Sequence, residues 1–306
     1  MLAIGRSKLL YNSIVYLRNL GERFEAIITD TAYPEYEIKE HDFKTLAEES
    51  GAKFFLTPNL LSSEIVNLIE ENNIEIAISA NWKYKIKPDF LSLFKKGVLN
   101  FHMGNLPDYK GNATVNWAIL NGEKFIYANV HRMVSEIDSG DIISKAKIDI
   151  DKTTYVGDIL NEAGELAPKL FKEALERIRK NSLYYLERGS IGGLRCYPRM
   201  EADHQINWLD NAEKIHRLIK ASSRPFSGAF SFLNGKKVII WKASIKRPKF
   251  KFLSVPGQIV EINRETGFVY VACIDSFLEI QEIEISNNSL IPVAFIKSIR
   301  SRFKYE

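Results

Sequence analysis

The first part of the chain repeats one pattern. Short apolar runs alternate with longer segments in which apolar residues recur every three or four positions. "MLAIG" reads as a strand and "KLLYNSIVYLRNLG" as a helix ending at Gly21. "FEAIITD" is the next strand, and "IKEHDFKTLAEESG" is an amphipathic helix stopped by Gly51. "AKFFLTP", "IEIAISA" and "GVLNFH" are further strands. Between them lie the helices "SSEIVNLIEENN", with a Ser cap, and "KPDFLSLFKKG". This alternation predicts an α/β fold with a Rossmann-like, mostly parallel sheet and flanking helices. Ligands of such sheets bind beyond the carboxyl ends of the strands.

Further on, the pattern predicts a helix around "NATVNWAILNG", strands "IYANVHRMV" and "DIISKAKIDI", and a long helix from about Tyr155 to Lys180. "ERGSIGGLRCYPRMEADHQ" is Gly-rich and irregular and reads as a linker. After the helix "NAEKIHRLIKAS" come short strands separated by turn signals: "GAFSFL", "KKVIIWKASI", "GQIVEI", "GFVYVAC" and "FLEIQEIEI". They predict a small OB-like β-barrel. The expected organisation is a catalytic domain over 1–186, a linker over 187–204 and a barrel domain over 205–306.

Composition narrows the class without naming a reaction. The chain of 306 residues is 45% hydrophobic and 26% charged, which suits a globular protein with a real core. A net charge of +4 suits an anionic small molecule and does not by itself indicate nucleic acid. The longest apolar runs are strand-sized, and "MLAIGRSKLL" lacks the layout of a signal peptide. Cys196 and Cys273 have neither metal-type spacing nor the look of a disulfide framework. A cytoplasmic protein without a membrane partner is expected.

The candidate chemistry sits in "VLNFHMGNLPDYKG". Side chains alternate across a strand, so Val98, Asn100 and His102 share one face while Leu99 and Phe101 take the other. A carboxamide can donate to a developing oxyanion, and an imidazole can move a proton near neutral pH. Asp138, in the turn "SEIDSGDII", is the candidate to orient or charge-balance the imidazole. Each residue also has a plainer role. An Asn or His at a strand end is by default a turn former, and Asp before Ser-Gly is by default a β-turn residue. His102, His131 and Asp138 would be the ligands if a metal were bound, but no spacing demands one. His131 is expected to face the sheet or solvent.

"NFHMGNLPDYKGNATVNWAILNGE" followed by "EIDSGDII" resembles the formyltransferase family that uses 10-formyltetrahydrofolate. The Asn-x-His, the Leu-Pro-x-x-(Lys/Arg)-Gly loop and the Asp-x-Gly-(Asp)-Ile turn match in order and spacing. "YPRMEADHQINWLDNAEKIHRLIKASSRPFSGAFSFLNGKKVIIWKA" resembles the C-terminal module of methionyl-tRNA formyltransferases and of longer sugar N-formyltransferases. The resemblance implies catalytic roles for Asn100, His102 and Asp138, with 10-formyltetrahydrofolate as co-substrate and no metal. It also implies a pterin slot made by the backbone of the loops 81–86 and 134–138. Trp82, Tyr84, Ile86, Val134 and Glu136 belong to those loops; for Trp82 and Tyr84, ordinary aromatic packing is the alternative.

The resemblance leaves two main acceptors. Methionyl-tRNA formyltransferases carry a basic, glycine-containing loop after the second strand, where this chain has the acidic, aromatic "TDTAYPEYEIKEHDF". Acidic residues repel a phosphate backbone. The start "AIGRSKLLYNS" and Thr114 also depart from that enzyme's pattern. The expected acceptor is therefore an amino sugar on a nucleotide, giving an N-formylated sugar for a surface polysaccharide such as the lipopolysaccharide O-antigen. Arg6 and Lys8 after the first strand would meet its diphosphate, because helix N-termini favour anions. Lys83, Tyr109, Lys110 and Asn112 are the other candidate contacts, although a loop cation is by default solvated. A hydrolase releasing formate and a non-catalytic binding module are the rival functions. The barrel and the basic tail "KSIRSRFKYE" are the segments where nucleic acid would bind, a solvated tail being the default; a homodimer is compatible with this reading.

Overall fold

The computed structural model describes residues 1–34, 36–180, 184–248 and 252–304. Glu35 of the acidic loop and the last two residues of the tail lie outside them. The chain divides into two compact units. The first comprises Met1–Thr114, Phe125–Asp149 and Ile159–Tyr197; the second comprises Val115–Lys124, Ile150–Asp158 and Pro198 onward. The segment 187–204, expected as a linker, is divided between them.

The first unit is built on β1 (Leu2–Gly5), α1 (Ser7–Asn19), β2 (Ala26–Thr29), α2 (Glu40–Ser50), β3 (Lys53–Leu56), α3 (Ser63–Glu71), β4 (Ile76–Ala80), α4 (Pro88–Ser92) and β5 (Gly97–Met103). Along the chain then come the short β6 (Lys110–Gly111), α5 (Thr114–Asn121), which falls in the second unit from Val115 on, β7 (Phe125–Arg132), β8 (Ile142–Asp149), α6 (Val156–Lys180), which belongs to the first unit from Ile159 on, and the short β9 (Arg195–Cys196). Seven strands form one sheet in the order β3-β2-β1-β4-β5-β7-β8. The first five are parallel; β7 runs antiparallel to β5, and β8 antiparallel to β7.

The hydrophobic pattern explains this sheet. β1 and β2 are buried along their whole length, as strands covered on both faces must be. One face packs Leu2, Ile4, Ile28, Ala77 and Val98 against Ile65, Phe90 and Phe94. On the other face, Phe101 meets Phe171 of α6 at 6.3 Å between ring centres. Val98, Asn100 and His102 therefore continue an apolar face into polar side chains toward the carboxyl end of β5. Antiparallel pairing with β7 sets Asn100 opposite His131 and His102 opposite Asn129. Directly opposed residues point to the same face, so four polar side chains form a square there.

The second unit contains α7 (Ala212–Ser222), β10 (Ala229–Leu233), β11 (Lys236–Lys246), β12 (Ile259–Ile262), β13 (Val269–Ala272), β14 (Phe277–Ile285), β15 (Asn288–Leu290) and α8 (Pro292–Phe295). Its sheet is antiparallel, in the order β10-β11-β14-β13-β12, with β15 on β14. The tail is not a solvated arm. Phe232 exchanges backbone hydrogen bonds with Lys304, and the Phe303 N–H donates to the Gly257 carbonyl at 2.8 Å. The tail thus bridges β10 to the strand segment leading into β12, giving two strand edges a partner.

Candidate functional site

The connection from β7 to β8 folds back over the polar square. Gly140 permits the close return, since a Cβ there would sit 1.7 Å from the Arg132 carbonyl oxygen. Asp138 adopts φ 48°, a left-handed conformation that Asp tolerates in turns. Its Oδ2 accepts the Gly111 N–H at 2.8 Å and lies 3.5 Å from His102 Nδ1. Its Oδ1 lies 3.4 Å from His131 Nε2. Asn100, His102 and Asp138 are thus brought together with His131, which the sequence suggested only as a ligand if a metal were bound.

The hydrogen bonds assign roles to the ring nitrogens. His102 Nε2 is 2.7 Å from the Tyr109 carbonyl, which can only accept, so Nε2 carries a proton. Nδ1 is then the nitrogen free to gain and lose one, and Asp138 is placed to stabilise the resulting cation. Gly104 leaves room for this contact: a Cβ there would fall 2.4 Å from the Tyr109 oxygen and 2.7 Å from His102 Nε2. His131 Nδ1 faces the Arg132 carbonyl at 3.2 Å, and His131 Nε2 is placed to accept from Asn100 Nδ2 at 3.2 Å. Asn129 donates to the carbonyls of His102 and Gly104, fixing the end of β5.

Burial sets the charge states. His102 is 8% exposed, and loss of hydration pushes its pKa below the ordinary value, while Asp138 pulls it up. Burial alone would raise the Asp138 carboxyl. The positive charge that the His102 and His131 rings carry when protonated, together with the Gly111 N–H, outweighs burial and holds it well below the usual carboxylate range. The site therefore presents a neutral imidazole beside an anion. His131 does not face solvent: it is 1% exposed, between Asn100 and Asp138. Among the described residues, no three His, Cys, Asp or Glu side chains are placed to hold a metal ion.

The candidate pterin loops differ in what they expose. Tyr84 and Val134 are both 42% exposed, Glu136 is exposed, and Trp82 is partly buried with its ring edge-on to Tyr84 at 5.8 Å. The Ile86 side chain belongs to the core beside Phe90, which leaves only its backbone for a slot.

The candidate anion contacts are placed differently from expectation. Arg6 is 2% exposed. It donates to the carbonyls of Asn81 at 3.3 Å and Thr31 at 3.1 Å, with its guanidinium 4.5 Å from the Tyr33 ring centre. It ties the loop after β2 to the loop after β4. Lys8 is exposed and pairs with Glu37 at 2.9 Å. Lys110 is buried and donates to Ser139 Oγ at 2.8 Å and to the Ser190 carbonyl. The Tyr109 ring is buried, and its backbone rather than its side chain serves the site. Lys83, near the Tyr33 and Tyr84 rings, and Asn112 remain exposed.

The carboxyl end of β5, inside the sheet, carries a carboxamide and an imidazole with one free nitrogen beside the Asp138 carboxylate, a set suited to acyl chemistry. The model of the formyl transferase family matches residues 22–175, and that of the formyl transferase C-terminal domain matches residues 200–300. The chain belongs to the formyl transferase family. It is 28% identical over 250 residues to the bifunctional polymyxin resistance protein ArnA of Wigglesworthia glossinidia brevipalpis. That match covers 82% of this chain, which spans only 37% of ArnA. It is 26% identical over 297 residues to methionyl-tRNA formyltransferase of Ruminiclostridium cellulolyticum, covering 95% of this chain and 93% of that enzyme. The fold is similar to that of an N-formyltransferase from Helicobacter canadensis in complex with folinic acid and dTDP-3-aminofucose. The TM-score is 0.66 at 20% identity, over 91% of this chain and 97% of that one. No helix among the described residues is long and apolar enough to cross a membrane.

Proposed function

We propose that the protein transfers a formyl group from 10-formyltetrahydrofolate to the amine of a nucleotide-linked amino sugar. The observation that carries the chemistry is the joint placement of Asn100, His102 and Asp138 on one face, with His102 Nδ1 turned to the carboxylate. The acceptor nitrogen forms a bond to the formyl carbon as the bond from that carbon to the folate nitrogen breaks. Asn100 donates to the formyl oxygen as it gains charge, through the Nδ2 hydrogen that is not bonded to His131. Removing such a donor costs roughly a hundredfold to a thousandfold in rate. His102 Nδ1 takes the proton that the amine loses and returns it to the leaving folate nitrogen. Asp138 stabilises the cation in between. No protein nucleophile is required.

Three observations favour the sugar as acceptor. Glu37, Glu40 and Asp42 of the acidic loop are held in local contacts, with Lys8, the Ala32 N–H and the Lys39 N–H. The described residues of this stretch thus present an acidic and aromatic surface rather than a basic arm for a phosphate backbone. The basic tail is tied into the second unit's sheet by its backbone. The Helicobacter canadensis protein of similar fold is in complex with a dTDP-amino sugar. The second reading is methionyl-tRNA formyltransferase, favoured by the match over 95% of this chain.

The deciding experiment follows tetrahydrofolate release from 10-formyltetrahydrofolate with a panel of nucleotide-linked amino sugars and, in parallel, with methionyl-tRNA. Turnover with a sugar alone supports the proposal. Turnover with the tRNA alone replaces the acceptor, and formate release without an acceptor replaces transfer by hydrolysis.

A further inference from the structure

Lys110 reads as an anion contact in the sequence, yet its ammonium turns inward. We infer that Lys110 is a positioning residue that locks the catalytic carboxylate in place by joining three segments of chain. The inference rests on the site proposed above.

The geometry is that of a ladder with two rungs. In the first rung, Gly111 donates its N–H to Asp138 Oδ2 at 2.8 Å. In the second, the preceding residue, Lys110, donates through Nζ to the following residue, Ser139, at 2.8 Å to Oγ. The two rungs join adjacent residues on both sides, so the turn carrying Asp138 cannot rotate without breaking one. A third segment closes the arrangement, because Lys110 Nζ also donates to the Ser190 carbonyl.

That third segment is itself pinned to both catalytic loops. The Gly189 N–H donates to Asp141 Oδ1 at 2.9 Å, and Arg188 pairs with Asp141 at 3.2 Å. The Leu194 N–H donates to Asp108 Oδ1 at 2.6 Å, and β9 pairs with β6. Residues 187–196 therefore form a strap across the loop before β6 and the turn before β8.

The lysine is suited to this place and not to substrate capture. It is 5% exposed, with its ammonium committed to two acceptors. Burial lowers its pKa, and Asp138, Asp108 and Glu136 oppose that shift. A buried ammonium persists only where partners and nearby anions repay its lost hydration. Asp138 in turn faces His102 on β5, His131 on β7 and the Gly111 N–H. When the second rung is removed, the carboxylate is free to move away from His102.

The test compares Lys110→Met and Lys110→Arg with the wild-type full chain. Formyl transfer and the NMR titration of the histidine rings are the two readouts. Lys110→Met is expected to lower kcat by about tenfold to a hundredfold, the scale of a catalytic group displaced by about 1 Å. KM for folate and acceptor is expected to stay within about twofold of wild type. The His102 ring in Lys110→Met should titrate at lower pH than in wild type, because the anion that raises its pKa has moved. Lys110→Arg should restore both readouts in large part. A raised acceptor KM with kcat retained would make Lys110 a substrate contact and overturn the inference. So would an unshifted His102 titration. If Lys110→Met does not fold, Ser139→Ala removes the same rung and should move both readouts in the same directions. If the wild type transfers no formyl group, the proposed function fails, while the His102 titration still decides the role of Lys110.

Discussion

Asn100 and His131 face each other across an antiparallel strand pair, with Asn100 Nδ2 3.2 Å from His131 Nε2. The same His131 nitrogen lies 3.4 Å from Asp138 Oδ1. One imidazole thus stands between the proposed oxyanion donor and the carboxylate proposed to stabilise the His102 cation. It orients the carboxamide so that its N–H group points into the site before substrate arrives. Preorganisation of this kind is what makes such a donor effective.

Asn100→Ala and His102→Ala should each remove nearly all formyl transfer, while far-ultraviolet circular dichroism and Tm stay near wild type. His131→Ala should fall between these and wild type, with kcat lower by about tenfold to a hundredfold through misplacement of Asn100 and Asp138. Steady-state kinetics of the three variants checks the order. Near-wild-type turnover in Asn100→Ala or His102→Ala would end the site assignment.

His102 is neutral at pH 7, since burial lowers its pKa more than Asp138 raises it. Protonation of the free base removes activity, so the acid limb of kcat/KM should lie below the ordinary imidazole value of about 6.5. Stability has the same sign. His102, His204 (lowered to about 4) and His216 are all depressed, in each case first by burial. Between about 6.5 and the folded-state values the unfolded chain binds more protons, so acid favours unfolding. Thermal melts at pH 7.5 and pH 5 should show a lower Tm at pH 5; an equal or higher Tm would contradict this.

Gly104→Ala tests the His102–Tyr109 contact without mutating either partner. The new methyl group would meet the Tyr109 carbonyl oxygen at 2.4 Å and His102 Nε2 at 2.7 Å. Both contacts are too short, so the ring or the loop must shift. kcat is expected to drop by at least about tenfold, with a smaller change in KM for the acceptor, because the proton relay is displaced rather than a binding contact. A variant with unchanged kcat would show that the ring tolerates the displacement.

Strand alternation was enough to put Asn100 and His102 on one face, and the family resemblance pointed to Asp138. The role of His131 beside Asn100 was not legible by the same logic, since its place depends on which strand pairs with β5, in which direction and in what register. The surroundings of the cations are hidden from the sequence for a different reason. Arg6, Lys8 and Lys110 look like solvated loop charges or anion contacts until their partners are known. Those partners are largely backbone carbonyls, which composition does not reveal: Thr31 and Asn81 for Arg6, and Ser190 for Lys110. The tail was similar. Its Arg and Lys residues suggested a solvated arm, while the buried Phe303 between them carries the packing.

Phe303 gives the most direct test of the second unit. It is 2% exposed and stacks on Trp208 at 5.2 Å between ring centres, with planes 27° apart. The surrounding bonds make the tail part of the core. Trp208 Nε1 donates to Ser231 Oγ at 2.9 Å, and Ser231 Oγ donates to the Lys304 carbonyl at 2.9 Å. Phe303→Ala removes a large buried ring and leaves a cavity against the indole, a change that typically costs about 3–5 kcal/mol. Urea unfolding followed by tryptophan fluorescence should show a transition moved to lower denaturant with little change in slope. A shift worth less than about 1 kcal/mol, the range of surface substitutions, would mean that the tail does not close the sheet in solution.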